Sequence, residues 1–219
     1  MKHLVMKDIR LIGITNLIII AIAAVGGGFG IYLDEGFKSN YAYAFIMIVG
    51  LFTVNATLAA KETKLKSDAL IISLPLRKFD IVRARYLTIL IYIFALLGTI
   101  YLTSNAGKVL FKDMPGNALG FIEILIISSV IIVFFSLYIP FQYHNHKNAQ
   151  ILGAILYMLA ILTPNVLERF DINIDDLSAI KKLLAMEYGG LGFILMGLGL
   201  ILYTTSIFVS KEIYEAKEF

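Results

Sequence analysis

The sequence predicts an all-α integral membrane protein with six transmembrane helices. The chain of 219 residues is 59% hydrophobic and only 16% charged, whereas soluble domains usually hold about 25% charged residues. Its mean hydropathy is +0.83. The charges stand in short blocks separated by long uncharged stretches. This pattern is typical of membrane spans, because one charge at the bilayer centre costs roughly 2.5–3.5 kcal/mol.

The predicted spans are stretches long and apolar enough to cross a hydrocarbon core of roughly 30 Å, which needs about 17–25 residues. They cover residues 11–33, 41–60, 86–103, 118–139, 149–164 and 189–209. The fifth is the shortest, since about 16 residues barely cross the core. The chain has no Trp, and several tyrosines lie near span ends, where amphipathic rings favour the membrane interface: Tyr32, Tyr41, Tyr43, Tyr86, Tyr101, Tyr138 and Tyr188. Residues 1–219 are therefore interpreted as a single transmembrane domain.

The distribution of Lys and Arg predicts the orientation of the chain. Most of the 19 basic residues lie in the N-terminal segment, in the second connection over residues 61–85 and in the C-terminal segment. The segments on the opposite side carry more acids than bases. Because cytoplasmic loops are enriched in Lys and Arg, both termini and the second connection are predicted to be cytoplasmic, in agreement with an even number of spans.

Two further helices are predicted to lie on the membrane rather than across it. Residues 2–12 place Val5, Ile9 and Ile12 on one face and basic residues elsewhere, which indicates an in-plane helix leading into the first span. Residues 173–184 begin with a capping Asn and two acids and end with basic residues, in agreement with the helix dipole. The apolar residues of this external amphipathic helix share one face: Leu177, Ile180, Leu183 and Leu184.

No motif in the sequence carries catalytic chemistry. The lack of Cys excludes disulfides, thiol nucleophiles and thiolate metal sites. The glycine-rich run over residues 26–30 lacks the Gly-Lys-Ser/Thr ending of a phosphate-binding loop, so we interpret it as a place of close helix approach or a kink. His144 and His146 do not share a helix face, so no metal site is predicted. We expect no catalytic residue, no cofactor bound by this chain and no nucleic-acid partner.

Glu123 is the only formal charge inside a predicted span. An intramembrane acid is a candidate functional residue by default, but Glu123 lies about one turn inside the span, where snorkelling solvates a carboxylate. A single carboxylate at the edge is a poor relay for protons or sodium, because secondary transporters place such groups near the midplane. Uphill transport by this chain would therefore draw its energy from elsewhere.

The second connection and the residues after it are the most informative part of the sequence. Ser67 and Asp68 provide a helix start, an apolar run follows over residues 69–74, and Pro75 ends it. A short apolar helix exposed in the cytoplasm needs a covering surface, and the rim of this one is basic. From the residues alone, a protein partner and anionic headgroups are equally compatible with the segment.

This region resembles the signature of small type-2 ABC exporter permeases. The matching residues are Ser67-Asp68-Ala69-Leu70-Ile71-Ile72-Ser73-Leu74-Pro75-Leu76, then Asp80-Ile81-Val82 and Ala84-Arg85-Tyr86-Leu87. The six-span layout and the two interfacial helices are also similar to that family, so the resemblance covers nearly the whole chain. One departure is Arg77, where the family often has Ser or Thr as a helix cap. Asp80 is then the alternative start of the next helix.

The resemblance implies that residues 67–79 form a coupling helix that docks in a groove of a separate ATPase subunit. The residues that would contact the ATPase are Asp68, Leu70, Ile71, Leu74, Pro75, Leu76, Arg77, Lys78 and Phe79. It also implies two ATPase copies that bind ATP and Mg²⁺, a second permease copy or a paralogue, contact with membrane lipid, and a location in the bacterial plasma membrane. Exporters of phenol-soluble modulins or antimicrobial peptides and bacteriocin-immunity permeases are the suggested analogues.

The leading hypothesis is a transport subunit that is not itself an enzyme. It would export a hydrophobic or amphipathic substrate, such as a peptide toxin, an antimicrobial peptide or a lipid-like molecule. The alternative is a membrane scaffold or sensor whose basic cytoplasmic loop binds lipid or a regulator. A third class is an intramembrane enzyme, but the sequence shows no nucleophile–base pair that would support it.

Overall fold

The computed structural model describes residues 2–33, 36–65, 77–145, 149, 151, 153–155, 158 and 188–216, and the regular structure in these residues is helical. The helices with continuous bounds are α1 (Lys2–Ile12), α2 (Ile14–Gly30), α3 (Gly36–Leu65), α4 (Lys78–Leu110), α5 (Phe121–His144) and α6 (Tyr188–Glu215). The prediction of an all-α chain is confirmed for the described residues. Long apolar runs favour helices, which satisfy their backbone hydrogen bonds within one segment.

Four helices among the described residues are long and apolar enough to cross a membrane. They are residues Ser39–Glu62 of α3, all of α4, all of α5 and Gly192–Glu215 of α6. α1 and α2 make a fifth candidate span if they are taken together, although they are bent by 77°. The predicted fifth span (149–164) and the external helix (173–184) lie largely outside the described residues, so the count of six spans stays a prediction.

The observed helix bounds correct the starts of the first and fourth predicted spans and extend the second, third and sixth. The first predicted span begins too early, because Gly13 ends α1 and the apolar helix starts at Ile14. The fourth also begins too early, since residues 118–120 are not helical and α5 starts at Phe121. α3 and α4 contain 30 and 33 residues, about 45–50 Å of helix. Both therefore extend past a hydrocarbon core of roughly 30 Å.

The described chain forms two compact units. The first contains residues 1–120 and 205–219, and thus holds α1 to α4 and the C-terminal part of α6. Within it the glycine-rich run lets α2 approach its neighbours closely: a Cβ on Gly26, Gly27 or Gly30 would overlap side chains of Ile46, Thr103 and Tyr43. The interpretation of this run as a helix-packing site is confirmed.

The connection between α4 and α5 also belongs to the first unit and folds back onto the helix ends. The amide of Gly116 donates to the carbonyl of Ile31 over 2.8 Å. The hydroxyl of Tyr43 donates to the carbonyl of Asn117 over 2.9 Å, and Lys108 Nζ donates to the carbonyl of Gly116 over 2.8 Å. Residues 111–120 are thereby held against α2, α3 and α4 by hydrogen bonds.

The second unit covers residues 121–204 and contains α5 and the N-terminal part of α6. Gly192 and Gly199 of α6 face α5, where a Cβ on either residue would contact Leu125 or Ser129. Small residues at such positions allow helices to approach closely in a membrane. The buried serines of α5 donate to carbonyls one turn earlier, so they add no free polar group to its apolar surface: Ser128, Ser129 and Ser136.

Candidate functional site

The two helices that flank the second connection are joined by a buried ion pair. Arg85 lies in the first turns of α4 and Glu62 near the end of α3, and Arg85 Nη2 donates to Glu62 Oε2. Arg85 is only 8% exposed. A charge buried this far needs its partner, because loss of one member leaves the other uncompensated. Arg85, counted among the cytoplasmic basic residues in the sequence, is therefore a structural member of the helix pair.

Helix α1 contributes a second acid to the same place. Asp8 is 4% exposed, and its Oδ2 accepts from Thr88 Oγ1 of α4 over 3.3 Å. Lys7 Nζ lies 3.2 Å from Asp8 Oδ1 and 3.6 Å from Glu62 Oε1. We call Lys7, Asp8, Glu62, Arg85 and Thr88 the charged junction. It joins α1, α3 and α4 where the second connection begins and ends.

The bend between α1 and α2 is held by polar contacts from three helices. Gly13 has φ 60° and ψ −128°, a conformation available almost only to glycine. Lys61 Nζ of α3 donates to the carbonyl of Leu11 over 2.7 Å, and Asn16 Nδ2 donates to that of Ile9 over 2.9 Å. Tyr92 of α4 in turn donates to Asn16 Oδ1. The last carbonyls of α1 would otherwise lack partners at the bend.

These contacts refine the prediction for residues 2–12. The helix exists, and Ile12 of its predicted apolar face is buried. However, Asp8 is buried too, so part of the polar face packs against α4 instead of facing solvent. The sequence did not single out Asp8, Lys61 or Glu62, because a charge at a helix end has the same local pattern whether it is solvated or paired.

The residues that follow the second connection lie partly in α4. Arg77 occupies the N-cap position without a side-chain cap, and α4 begins at Lys78. The coupling helix predicted over residues 67–79 is therefore too long at its C-terminal end, and the alternative start at Asp80 is too late. Asp80 lies in the first turn of α4, where a carboxylate complements the helix dipole. The remaining predicted contact residues lie outside the described part of the chain: Asp68, Leu70, Ile71, Leu74, Pro75 and Leu76.

The first turns of α4 pack against the C-terminal part of α6. The hydroxyl of Tyr86 lies 2.9 Å from the carbonyl of Ser206, 2.6 Å from Ser206 Oγ and 2.7 Å from Ser210 Oγ. Lys78 Nζ donates to the carbonyl of Glu215 over 3.2 Å. Tyr86 is only 1% exposed. Its predicted role as an interfacial aromatic is wrong, because its hydroxyl is satisfied inside the helix bundle.

Glu123 lies in the first turn of α5 and is half-buried. No ion pair involves it in the part of the chain that the structure describes. Its place at the helix N-terminus accounts for a carboxylate there, and a functional role for Glu123 stays a prediction. Within the described residues, no group of three or more His, Asp or Glu side chains is arranged to hold a metal ion.

The comparisons with known proteins decide the family. Residues 3–215 match the family described as ABC-2 family transporter protein. The chain belongs to the ABC-2 transporter family. No curated protein and no solved structure matches it.

The family match confirms the resemblance to ABC exporter permeases at the level of the family. This ABC-2 protein is the multi-pass membrane component of a transporter, that is, a transport subunit. ABC-2 permeases generally pair with ABC ATPase subunits, where the ATP is bound. In this permease, the charged junction therefore lies beside both ends of the second connection, which the resemblance assigns to ATPase docking.

Proposed function

We propose that this ABC-2 protein is the six-span permease of an ATP-driven exporter in the bacterial plasma membrane. Residues 67–76 would form the coupling helix that receives the movement of the ATPase. The observation that carries this proposal is the ion pair between Glu62 and Arg85. It lies three residues before the end of α3 and seven residues after the start of α4, beside both ends of the connection.

A displacement of the connection would act on several helices together. Helices α3 and α4 are joined by the charged junction, and α1 is joined to both through Lys7 and Asp8. Packed, hydrogen-bonded elements move as units because interiors are close-packed and resist local deformation. In the proposed mechanism, ATP-driven motion at the coupling helix therefore shifts α1, α3 and α4 as one body.

The distribution of charge favours an external energy source. In the described part of the spanning helices, the charged side chains lie near helix ends, as Glu62 does at the end of α3, Arg85 near the start of α4 and Glu123 at the start of α5. The ionisable or coordinating groups of secondary transporters lie near the midplane. A wall of mostly apolar side chains suits a hydrophobic or amphipathic substrate, and we propose a peptide toxin, an antimicrobial peptide or a lipid-like molecule.

The full transporter would contain two ATPase copies and a second permease, either identical or a paralogue. Binding between the permease and the ATPase provides the direct test. We expect Leu74→Asp to abolish co-purification with the partner ATPase and to remove substrate-stimulated ATP hydrolysis in proteoliposomes, because a carboxylate would have to be buried in an apolar groove.

Leu184→Asp makes the same chemical change in the predicted external helix and serves as the matched control, since it should leave both signals intact. Undiminished ATPase binding by the Leu74→Asp protein would contradict the proposal. Binding to anionic vesicles without any ATPase association would favour the scaffold or sensor alternative. Phe79 is the weaker test position, because its ring already packs within this chain.

A further inference from the structure

A group of basic and aromatic side chains lies where α4 begins and α6 ends. The Phe79 and Phe208 rings are 6.2 Å apart. The guanidinium of Arg83 lies 3.9 Å from the centre of the Phe79 ring, and Lys211 Nζ lies 5.5 Å from it. We call Phe79, Arg83, Phe208 and Lys211 the Phe79 cluster. All four belong to the first compact unit.

The two cations of this cluster are only weakly neutralised by the protein. Arg83 is exposed and makes no ion pair in the described ranges, not even with Asp80 one turn earlier. Its stacking on Phe79 occupies the flat face of the guanidinium, which leaves the N–H edges available for a planar or tetrahedral anion. Among the described residues, Lys211 pairs only with Glu215, at 3.9 Å and on an exposed surface, where such pairs contribute little.

An uncovered apolar surface begins within one turn of these cations. On α4, the stripe that follows Arg83 is exposed: Leu87 by 40%, Ile91 by 44% and Phe94 by 63%. On α6, Phe208 is 57% exposed. One helical turn spans about 5.4 Å. Arg83 and Lys211 therefore lie at the boundary between an apolar, lipid-facing surface and polar surroundings. This is the depth of phospholipid headgroups.

We propose that the Phe79 cluster binds the phosphate of an anionic phospholipid, with Arg83 and Lys211 as its cationic contacts. The acyl chains of the lipid would cover Leu87, Ile91 and Phe94. A lipid fits better than a free phosphate because the stripe requires an apolar cover continuous with the charged group. It fits better than an acidic protein segment because that stripe lies along a membrane-spanning helix.

The position of the site suggests how such a lipid would matter. Phe79 lies in the first turn of α4, directly after the second connection. A lipid held there by both α4 and α6 would stiffen the start of α4, and anionic lipid content would then modulate ATP-driven transport. This regulatory consequence rests on the proposed function, whereas binding of the lipid does not.

Lipid binding is tested on the full-length permease, purified without ATPase. Native mass spectrometry of the protein taken from nanodiscs that mix phosphatidylglycerol with phosphatidylcholine measures which lipid is retained. We expect preferential retention of phosphatidylglycerol. The Arg83→Gln/Lys211→Gln protein should lose this preference by roughly tenfold or more, since each basic residue near an anionic surface contributes about 1 kcal/mol.

The matched control is Lys2→Gln/Lys64→Gln, which removes the same net charge from exposed residues near the same predicted membrane face. It should retain the preference. An equal loss of the phosphatidylglycerol preference in both double variants would show that the preference depends on surface charge alone. This result would overturn the proposed lipid site. So would undiminished retention in the Arg83→Gln/Lys211→Gln protein.

Two further outcomes would also overturn the proposal. Displacement of the lipid by millimolar inorganic phosphate would assign the cluster to a free anion. If the Phe79 cluster is covered only when the ATPase is added, the cluster would be assigned to a protein partner. A Phe79→Leu protein keeps the charges and removes the stacking surface, so an intermediate loss is expected. Circular dichroism and gel filtration must show that each variant is folded.

Discussion

Glu62 and Arg85 form a buried ion pair between the end of α3 and the start of α4, although eleven of the residues between them lie outside the described chain. The pair joins the two helices that the second connection separates in sequence. Asp8 and Lys7 of α1 belong to the same network. The part of the permease closest to the proposed ATPase contact is therefore linked by electrostatic contacts rather than by apolar packing alone.

Removal of Arg85 should destabilise the protein strongly. Arg85→Ala removes the ion-pair partner of Glu62, which is itself largely buried, and we expect a loss of about 3–5 kcal/mol. The double variant Glu62→Gln/Arg85→Met should recover much of this loss, because neither charge is then uncompensated. Unfolding in mixed micelles with increasing SDS measures both values, and Lys64→Ala, which removes an exposed cation from the same end of α3, is the control. An Arg85→Ala protein with unchanged stability would contradict the structural role of the ion pair.

Removal of Lys61 should loosen the bend between α1 and α2. Lys61→Met frees the carbonyl of Leu11, and a hydrogen bond from a charged group contributes about 1.5–3 kcal/mol. Amide hydrogen exchange near the bend, over residues 9–16, should accelerate by at least tenfold. Lys64→Met changes an exposed lysine one turn later on α3 and should leave the exchange rates as they are. Unchanged protection in Lys61→Met would show that Gly13 and Asn16 suffice to hold the bend.

The connection between α4 and α5 should tolerate no side chain at Gly116. A Cβ there would lie 2.6 Å from the carbonyl oxygen of Ile31 and 2.7 Å from that of Gly30, and backbone atoms cannot yield as flexible side chains do. We expect Gly116→Ala to destabilise by about 1–3 kcal/mol. Gly98→Ala on α4 meets no atom within 4 Å in the described structure and should stabilise by up to about 1 kcal/mol. Thermal unfolding in detergent compares them, and equal melting temperatures would refute the contact.

The hydroxyl of Tyr86 should stabilise the contact between α4 and α6. Tyr86→Phe removes the buried hydroxyl that bonds to Ser206 and Ser210, which costs about 1–3 kcal/mol. Tyr101→Phe removes a hydroxyl from an exposed tyrosine of the same helix and should change stability by less than about 0.5 kcal/mol. Both are measured by SDS-induced unfolding. Indistinguishable curves for the two variants would mean that water or lipid replaces the lost hydrogen bonds at Tyr86.

Much of the architecture was predictable from the sequence because hydrophobic length and charge clustering are local properties. The apolar runs at 41–60, 86–103 and 189–209 lie within α3, α4 and α6, and the amphipathic pattern over residues 2–12 matches α1. The resemblance in the second connection also pointed to the family that the comparison confirmed. Boundaries were predicted less well: α3 and α4 continue into polar sequence, whereas Gly13 and the non-helical residues 118–120 interrupt sequence that was predicted to be helical.

The sequence by itself determined that the chain is helical, that it carries several membrane spans and that the sections richest in Lys and Arg lie at the termini and the second connection. Only the tertiary structure decided which polar residues are buried and paired. Asp8, Glu62 and Arg85 look like ordinary solvated charges in their local contexts, and Tyr86 looks like an interfacial ring. Their pairing depends on the rotation and closeness of helices distant in sequence, which no local periodicity encodes.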